Sequence, residues 1–207
     1  MFPPLPPEDL ARRTISHYEN RPDVFWEKTK DHDVSENYAH LFRSITHLKP
    51  WKILDFGCGP GRDLKYFSAC GHTPVGVEGC LAFCEMARSY AGCDVLHQDF
   101  LKLDLKSEYF HGVFANASLF HVPRGEFPRV LKDLHACLMA GGVLFSSNPR
   151  GAGEDFESSR YANFMELESY RPIVEAAGFE LLEHYYRPSG VPVDEAPWLA
   201  CVFRKIG

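Results

Sequence analysis

The run Trp51–Gly61, WKILDFGCGPG, joins a short apolar stretch to an acid and then to a glycine at every second position. Ile53 and Leu54 suit a buried strand. Gly57, Gly59 and Gly61 leave no side chains between a tight turn and whatever lies over it. Cofactors meet a parallel sheet at this kind of turn. A dinucleotide fingerprint requires G-x-G-x-x-G with a pyrophosphate over the next helix N-terminus. Here Arg62 stands third after Gly59, and the third glycine comes one residue early. Asp55, immediately before the loop, would repel a phosphate and suits a ligand carrying an ammonium group. Glu78 closes the next apolar run, HTPVGVE, where a carboxylate can accept both hydroxyls of a ribose. Together these residues describe a pocket for an adenosine that carries an amino acid, which is S-adenosylmethionine. A nicotinamide dinucleotide and a ligand-free glycine-rich turn are the competing readings.

Further candidates fall where later strands should end. Asp99 can accept from an adenine amino group while Phe100 or Leu101 packs on the ring, or it is a solvated loop acid. Met86 reads as core. The segment Asn116-Ala117-Ser118-Leu119-Phe120-His121-Val122 begins small, as a methyl donor would need, and continues large. His121 is a candidate on the substrate side, or a hydrogen-bonded structural histidine. Arg150, after GGVLFSSNP, can pair with a substrate carboxylate or lie on the surface. Tyr185, Tyr186 and Arg187 form a polar-aromatic cluster, and alternation turns only one of the tyrosines to a given face. The stretch from Phe25 and Trp26 to Asn37 is dense in aromatic and hydrogen-bonding groups. It is either a substrate-facing lid or a helix start capped by Asp33 or Ser35 beside an aromatic staple.

Strands are expected near 51–56, 73–78, 94–97, 111–116 and 142–147, with helices near 62–70, 80–91 and 125–139 between them. The alternation predicts an α/β fold with a doubly wound, mostly parallel seven-stranded sheet. A helix near 166–177 follows, then runs at 179–186 and 198–204. The connection Arg187–Trp198 holds three prolines and no helix-length segment, so the last two strands form an antiparallel edge hairpin. Helices from Glu8 to about Asn20 and from Ser35 to about Thr46 precede the first strand and form a lid over about 8–48. Residues 1–7, MFPPLPP, read as a linker to a single domain spanning 8–207.

The composition narrows the partners. At 207 residues and 45% hydrophobic, the chain can bury one full core. A net charge of -6 disfavours a nucleic-acid footprint and favours a small-molecule substrate. No apolar run approaches membrane-spanning length. Seven irregularly spaced cysteines without C-x-x-C suit reduced, cytoplasmic thiols. The ten histidines show no metal-ligand spacing, so no metal is expected, and no Ser/His/Asp elbow is present.

The segments ILDFGCGPGRDL, GVEG, QDF, VFANASLFHV and GGVLFSSNPRG together resemble a class I S-adenosylmethionine-dependent methyltransferase across residues 8–204. The combination FWEKTKDHDVSENY, FANASLFHVP, SSNPRG and EHYYRPSGVP is more narrowly similar to the carboxyl-terminal methyltransferase domain of bifunctional ovothiol-biosynthesis enzymes. Their amino-terminal part is an iron-dependent sulfoxide synthase, and their final domain methylates an imidazole nitrogen of 5-thiohistidine. The resemblance implies that Gly57, Cys58, Gly59, Gly61 and Arg62 line the methionine and ribose portion. It further implies that Glu78 and Gly79 hold the ribose, that Asp99 and Phe100 face the adenine, and that Asn116 adjoins the methyl donor. An imidazole nitrogen must be unprotonated to attack, which makes His32, Asp33, Asn37 and Asn116 candidates for selecting its tautomer. Methyl transfer to another small polar molecule and a non-catalytic cofactor-binding module are the alternatives.

Overall fold

The computed structural model describes residues 5–156 and 159–207. Five strands alternate with helices in the order β1 (Lys52–Phe56), α4 (Arg62–Ala69), β2 (Thr73–Glu78), α5 (Leu81–Ala91), β3 (Asp94–His97), β4 (Phe110–Asn116), α6 (Phe127–Cys137) and β5 (Leu138–Pro149). Three helices precede them: α1 (Pro7–Glu19), α2 (Pro22–Thr29) and α3 (Ser35–Ser44). After β5 come a small antiparallel pair, β6 (Gly153–Asp155) and β7 (Ala162–Phe164), then α7 (Leu167–Ala176), β8 (Phe179–Arg187) and β9 (Trp198–Lys205).

The main sheet runs β3-β2-β1-β4-β5-β9-β8, parallel except for β9, which is antiparallel to both neighbours. The order in which strands are added reverses beside β1, so the turns after β1 and β4 open into one crevice, where ligands bind in doubly wound sheets. The expected seven-stranded sheet with an antiparallel hairpin is present. Within it the final strand is inserted and β8 takes the edge.

Alternation along the strands separates two cores. Leu54 and Phe56 pack with α6 and α7 on one face, and Ile53, Phe114 and Phe145 pack with α3 and Phe67 of α4 on the other. Each such buried aromatic or aliphatic side chain contributes about 1.5–3 kcal/mol relative to exposure. These two layers hold the sheet ends in place and therefore the loops between them.

Two features depart from the sequence expectations. Helix α2 fills part of the stretch expected to join two helices. None of its residues is fully buried, so it carried no strong amphipathic stripe, and Pro22 at its first turn is its main sequence mark. The pair β6–β7 has strands of three residues, too short for period-two patterning. The linker reading falls partly on residues 1–4, outside the described residues, and α1 already begins at Pro7. Among the described residues no helix is long and apolar enough to cross a membrane.

Candidate active site

The loop after β1 is shaped by its glycines. Gly57, Gly59 and Gly61 have φ of 76°, 51° and 95°, in the left-handed region that a side chain disfavours. A Cβ on Gly57 would lie 2.4 Å from the Cβ of Ser118, so the turn after β1 touches the turn after β4. Gly61 serves packing instead. A Cβ there would come 2.8 Å from Cα of Ala87, which brings α4 against α5.

Two cavities meet at this loop and share Phe25, Gly57, Gly59 and Ala117. The upper one is walled by Ile15, Phe83, Phe100 and Leu101, with Glu78 and Asp99 as its acids. Phe100 stacks on Phe56 at 4.2 Å, which fixes its ring on the cavity side of the sheet. Asp99 accepts the Leu101 N–H at 2.9 Å and so holds its own loop. Glu78 accepts the Gly59 N–H at 3.0 Å and the Cys80 N–H at 2.9 Å. Burial raises its pKa, while these N–H donors and that of Gly79 act the other way.

His121 belongs to this upper cavity. Its Nδ1 meets the Tyr161 carbonyl at 2.7 Å, which requires a proton on that nitrogen, so Nε2 accepts from the Tyr18 hydroxyl at 2.8 Å. Burial lowers its pKa to about 4, and the ring is neutral near pH 7. Both nitrogens are engaged within the protein, so the histidine positions the lid rather than facing the substrate side as expected. Tyr18 also accepts from Arg160 at 2.7 Å, and Thr14 accepts the Tyr161 N–H at 3.0 Å. Helix α1 is thus tied across the cavity to the β6–β7 segment.

The lower cavity is lined by His32 and Asp33 from the turn before α3, by Cys58 and Arg62 from the loop, and by Asn116, Arg187 and Trp198 from the sheet end. Arg62 donates to Asp63 at 2.7 Å and to the Thr29 carbonyl at 2.9 Å, which joins α2 to the loop. Tyr38 donates to the same Asp63 at 2.5 Å. Asp33 accepts the Ser35 N–H at 2.9 Å, which opens α3 and holds its carboxyl below the ordinary value. Burial, then the charge of Asp55, pushes the Cys58 thiol well up, so it is no thiolate nucleophile. Arg187 donates to the Asp33 carbonyl at 3.0 Å, and its buried Nε lies 3.6 Å from Glu36 without a hydrogen bond. That leaves a partly unsatisfied cation on the cavity wall. Asn116 is reached from behind by Asn37 at 3.0 Å, and Asn37 by Tyr185 at 2.8 Å.

Several candidates lie elsewhere. Arg150 donates to Glu166 at 2.9 Å and to the carbonyls of Val193 and Ala196, and it stacks over Tyr186 at 4.4 Å. It braces the connection between β8 and β9 and lines neither cavity. Tyr186 goes with it, while Tyr185 turns to the opposite face, as strand alternation requires. Trp26 packs edge-on against Tyr90 at 4.9 Å, outside both cavities, because α2 turns only Phe25 and Thr29 inward. Gly79 lies under Ile15. Asp55 is 1% exposed beneath the loop, and its pKa is raised by burial and then by Asp63. Its buried Oδ2 has no hydrogen-bond partner among the described residues.

Ser118 and Trp198 were not singled out as contacts. Ser118 sits in the small-residue run after β4, which was a usable signal. Trp198 reaches the cavity only because β9 inserts beside β5.

The fit to S-adenosylmethionine rests on three observations. The upper cavity is apolar with acids at its rim. Ser118 Oγ is a buried, unpartnered polar atom on its wall. At Gly59, between the cavities, the loop has space where a side chain would stand, with only Phe25 nearby. Among the described residues no group of three or more His, Cys, Asp or Glu is placed to hold a metal ion.

Residues 53–142 match the family model for a methyltransferase domain. The fold is similar to that of 1,6-didemethyltoxoflavin-N1-methyltransferase from Burkholderia thailandensis, solved with 1,6-didemethyltoxoflavin and S-adenosylhomocysteine. That likeness has a TM-score of 0.78 at 22% identity and covers 100% of this chain and 93% of the other. The [4+2]-cyclase SpnF is also similar, at a TM-score of 0.68 and 17% identity over 84% of this chain and 81% of the other. In sequence, an uncharacterized methyltransferase from Oceanobacillus iheyensis is 24% identical over 112 residues, 54% of this chain and 53% of that protein. The alignment therefore spans about half of that relative's length.

Proposed function

We propose that this chain, with its methyltransferase domain at residues 53–142, transfers a methyl group from S-adenosylmethionine to an imidazole nitrogen of 5-thiohistidine, giving ovothiol A. The observation that carries the reading is the junction of the two cavities at Gly57 and Gly59: an apolar cleft with Glu78 on one side, a polar cleft with Arg187 on the other. The Burkholderia protein, named for methylating a ring nitrogen of a small molecule, supports nitrogen as the acceptor.

Glu78 would hold the ribose hydroxyls, Asp99 and Phe100 the adenine, and the Gly57–Gly59 backbone the methionine portion. When bound, S-adenosylmethionine supplies an electrophilic methyl on a sulfonium that leaves as a neutral thioether. The protein's task is positioning. Arg187, which lines the lower cavity, would take the amino-acid carboxylate in a charge-assisted pair. His32 and Asp33 would contact the polar end of the acceptor, and Asn116 its ring. So held, a ring nitrogen would present its lone pair to that methyl, and the proton displaced from the imidazole or thiol would pass to water. A thiol-bearing acceptor would be supplied by a thiol-forming step, which on this reading belongs to an iron-dependent sulfoxide synthase domain of the same full-length protein.

The test is incubation of the full chain with S-adenosylmethionine and, separately, 5-thiohistidine, histidine and a panel of small polar amines and thiols, locating each new methyl by NMR. Nitrogen methylation of 5-thiohistidine is expected. Preference for another acceptor or exclusive S-methylation overturns the substrate, and binding without any turnover points to a cofactor-binding module.

A further inference from the structure

Three elements distant in sequence meet behind the acceptor cavity through a chain of two hydrogen bonds. The Tyr185 hydroxyl on β8 donates to Oδ1 of Asn37 on α3 at 2.8 Å, and Asn37 Nδ2 donates to Oδ1 of Asn116, the last residue of β4, at 3.0 Å. Asn37 is 0% exposed, so water has no access to replace either partner. Tyr185 is itself held flat against His40, ring centroids 3.9 Å apart.

The direction of the chain follows from the hydroxyl. A side-chain amide can reverse, exchanging its donor and acceptor ends. If Asn37 reversed, Asn116 would have to reverse with it to keep their bond, and the Tyr185 hydrogen would be left without an acceptor among the described residues. An unsatisfied buried donor is disfavoured. With Tyr185 donating, Asn116 spends its oxygen on Asn37. Its Nδ2 has no acceptor among the described residues, and Asn116 lines the lower cavity.

We propose that Tyr185 is a positioning residue that acts through Asn37 to make Asn116 present an N–H donor, and not a carbonyl, to the acceptor. This rests on the reading of the lower cavity as the acceptor site. A donor facing the attacking lone pair would consume it, so the Asn116 N–H engages a different electron-rich atom. In a mercapto-imidazole that atom is the thiolate sulfur. Sulfur is the softer and stronger nucleophile of the two. Holding it on Asn116 both lowers its reactivity and fixes the ring with a nitrogen, in place of the sulfur, toward the methyl donor. The relay is thereby the determinant of nitrogen over sulfur.

Two measurements test this. In the full chain labelled with 15N and 13C, a coupling across the hydrogen bond from Asn37 15Nδ2 to Asn116 13Cγ is expected. The reverse correlation, from Asn116 15Nδ2 to Asn37 13Cγ, overturns the proposal whatever the substrate is. With 5-thiohistidine, Tyr185→Phe is expected to lower kcat for nitrogen methylation about tenfold or more, since small displacements of reacting atoms are costly. S-methylated product should appear, while affinity for S-adenosylhomocysteine stays within about twofold, as expected for a site the relay does not touch. An unchanged kcat and product ratio in a folded variant overturns it. If the wild-type chain leaves 5-thiohistidine unmethylated, the substrate reading fails, and the coupling experiment alone decides the relay.

Discussion

Replacing Glu78 separates its two tasks. The carboxylate holds the loop by accepting the Gly59 and Cys80 N–H groups at 3.0 and 2.9 Å, and it faces the upper cavity, where a ribose would donate to it. Glu78→Ala removes both. Orphaning hydrogen bonds of a charged group costs about 1.5–3 kcal/mol each, but two factors reduce the net effect on stability. The buried carboxylate has itself paid desolvation, as its raised pKa records, and water can enter from the cavity to meet the freed N–H groups. A stability loss of about 1–3 kcal/mol is therefore expected, or a Tm lower by about 2–10 °C for a chain of this size. Affinity for S-adenosylhomocysteine should fall by about 1–3 kcal/mol, roughly 5- to 150-fold. Glu78→Gln is the sharper probe. It keeps volume and one acceptor for the loop, and it points a donor where the ribose hydroxyls or a backbone N–H need an acceptor. It should retain more stability than the alanine variant and still lose about tenfold or more in affinity. Calorimetry with S-adenosylhomocysteine and thermal melts read the two quantities. If both folded variants bind within twofold of wild type, Glu78 is a loop clamp and the ribose assignment is wrong.

The same carboxyl predicts a pH dependence. Its folded pKa lies above the unfolded value, so its contribution to stability is fully present below the unfolded value and is lost as pH rises through the folded one. Affinity for S-adenosylhomocysteine should run the opposite way over that interval, because the carboxylate is the form that accepts two hydroxyls, and Glu78→Gln should remove this component in a calorimetric pH series. Gly57→Ala places a Cβ 2.4 Å from Ser118 at a φ of 76°, so backbone strain of about 1–2 kcal/mol adds to a clash, and both stability and cofactor affinity should drop in melts and calorimetry. Arg187→Ala should raise the acceptor KM by about tenfold to a hundredfold, the loss of a charge-assisted pair, and leave S-adenosylhomocysteine affinity near wild type. Arg150→Ala should do the reverse of a substrate contact, lowering Tm by about 2–8 °C through loss of its Glu166 and carbonyl bonds without changing the acceptor KM.

The local signals in the chain were enough for the sheet and for the glycine loop with its flanking acids. Apolar runs ending in Asp55 and Glu78 are strands because buried parallel strands are continuously apolar, and the glycines between them require a backbone that only glycine adopts easily. Those contacts are short in sequence, so residue type and spacing carry them. The acceptor side is different. Arg150 and Arg187 are equally plausible in a linear reading, and only the insertion of β9 between β5 and β8 turns one inward to the cavity and commits the other to Glu166. Tyr185 and Asn37 lie 148 positions apart and share a hydrogen bond because α3 folds back over the carboxyl-terminal strands. His121 looked like a substrate contact until Tyr18 and the Tyr161 carbonyl claimed both its nitrogens. Hydrogen-bond partners are a property of three-dimensional neighbours, and a side chain's chemistry is free for a ligand only after those neighbours have taken what they need.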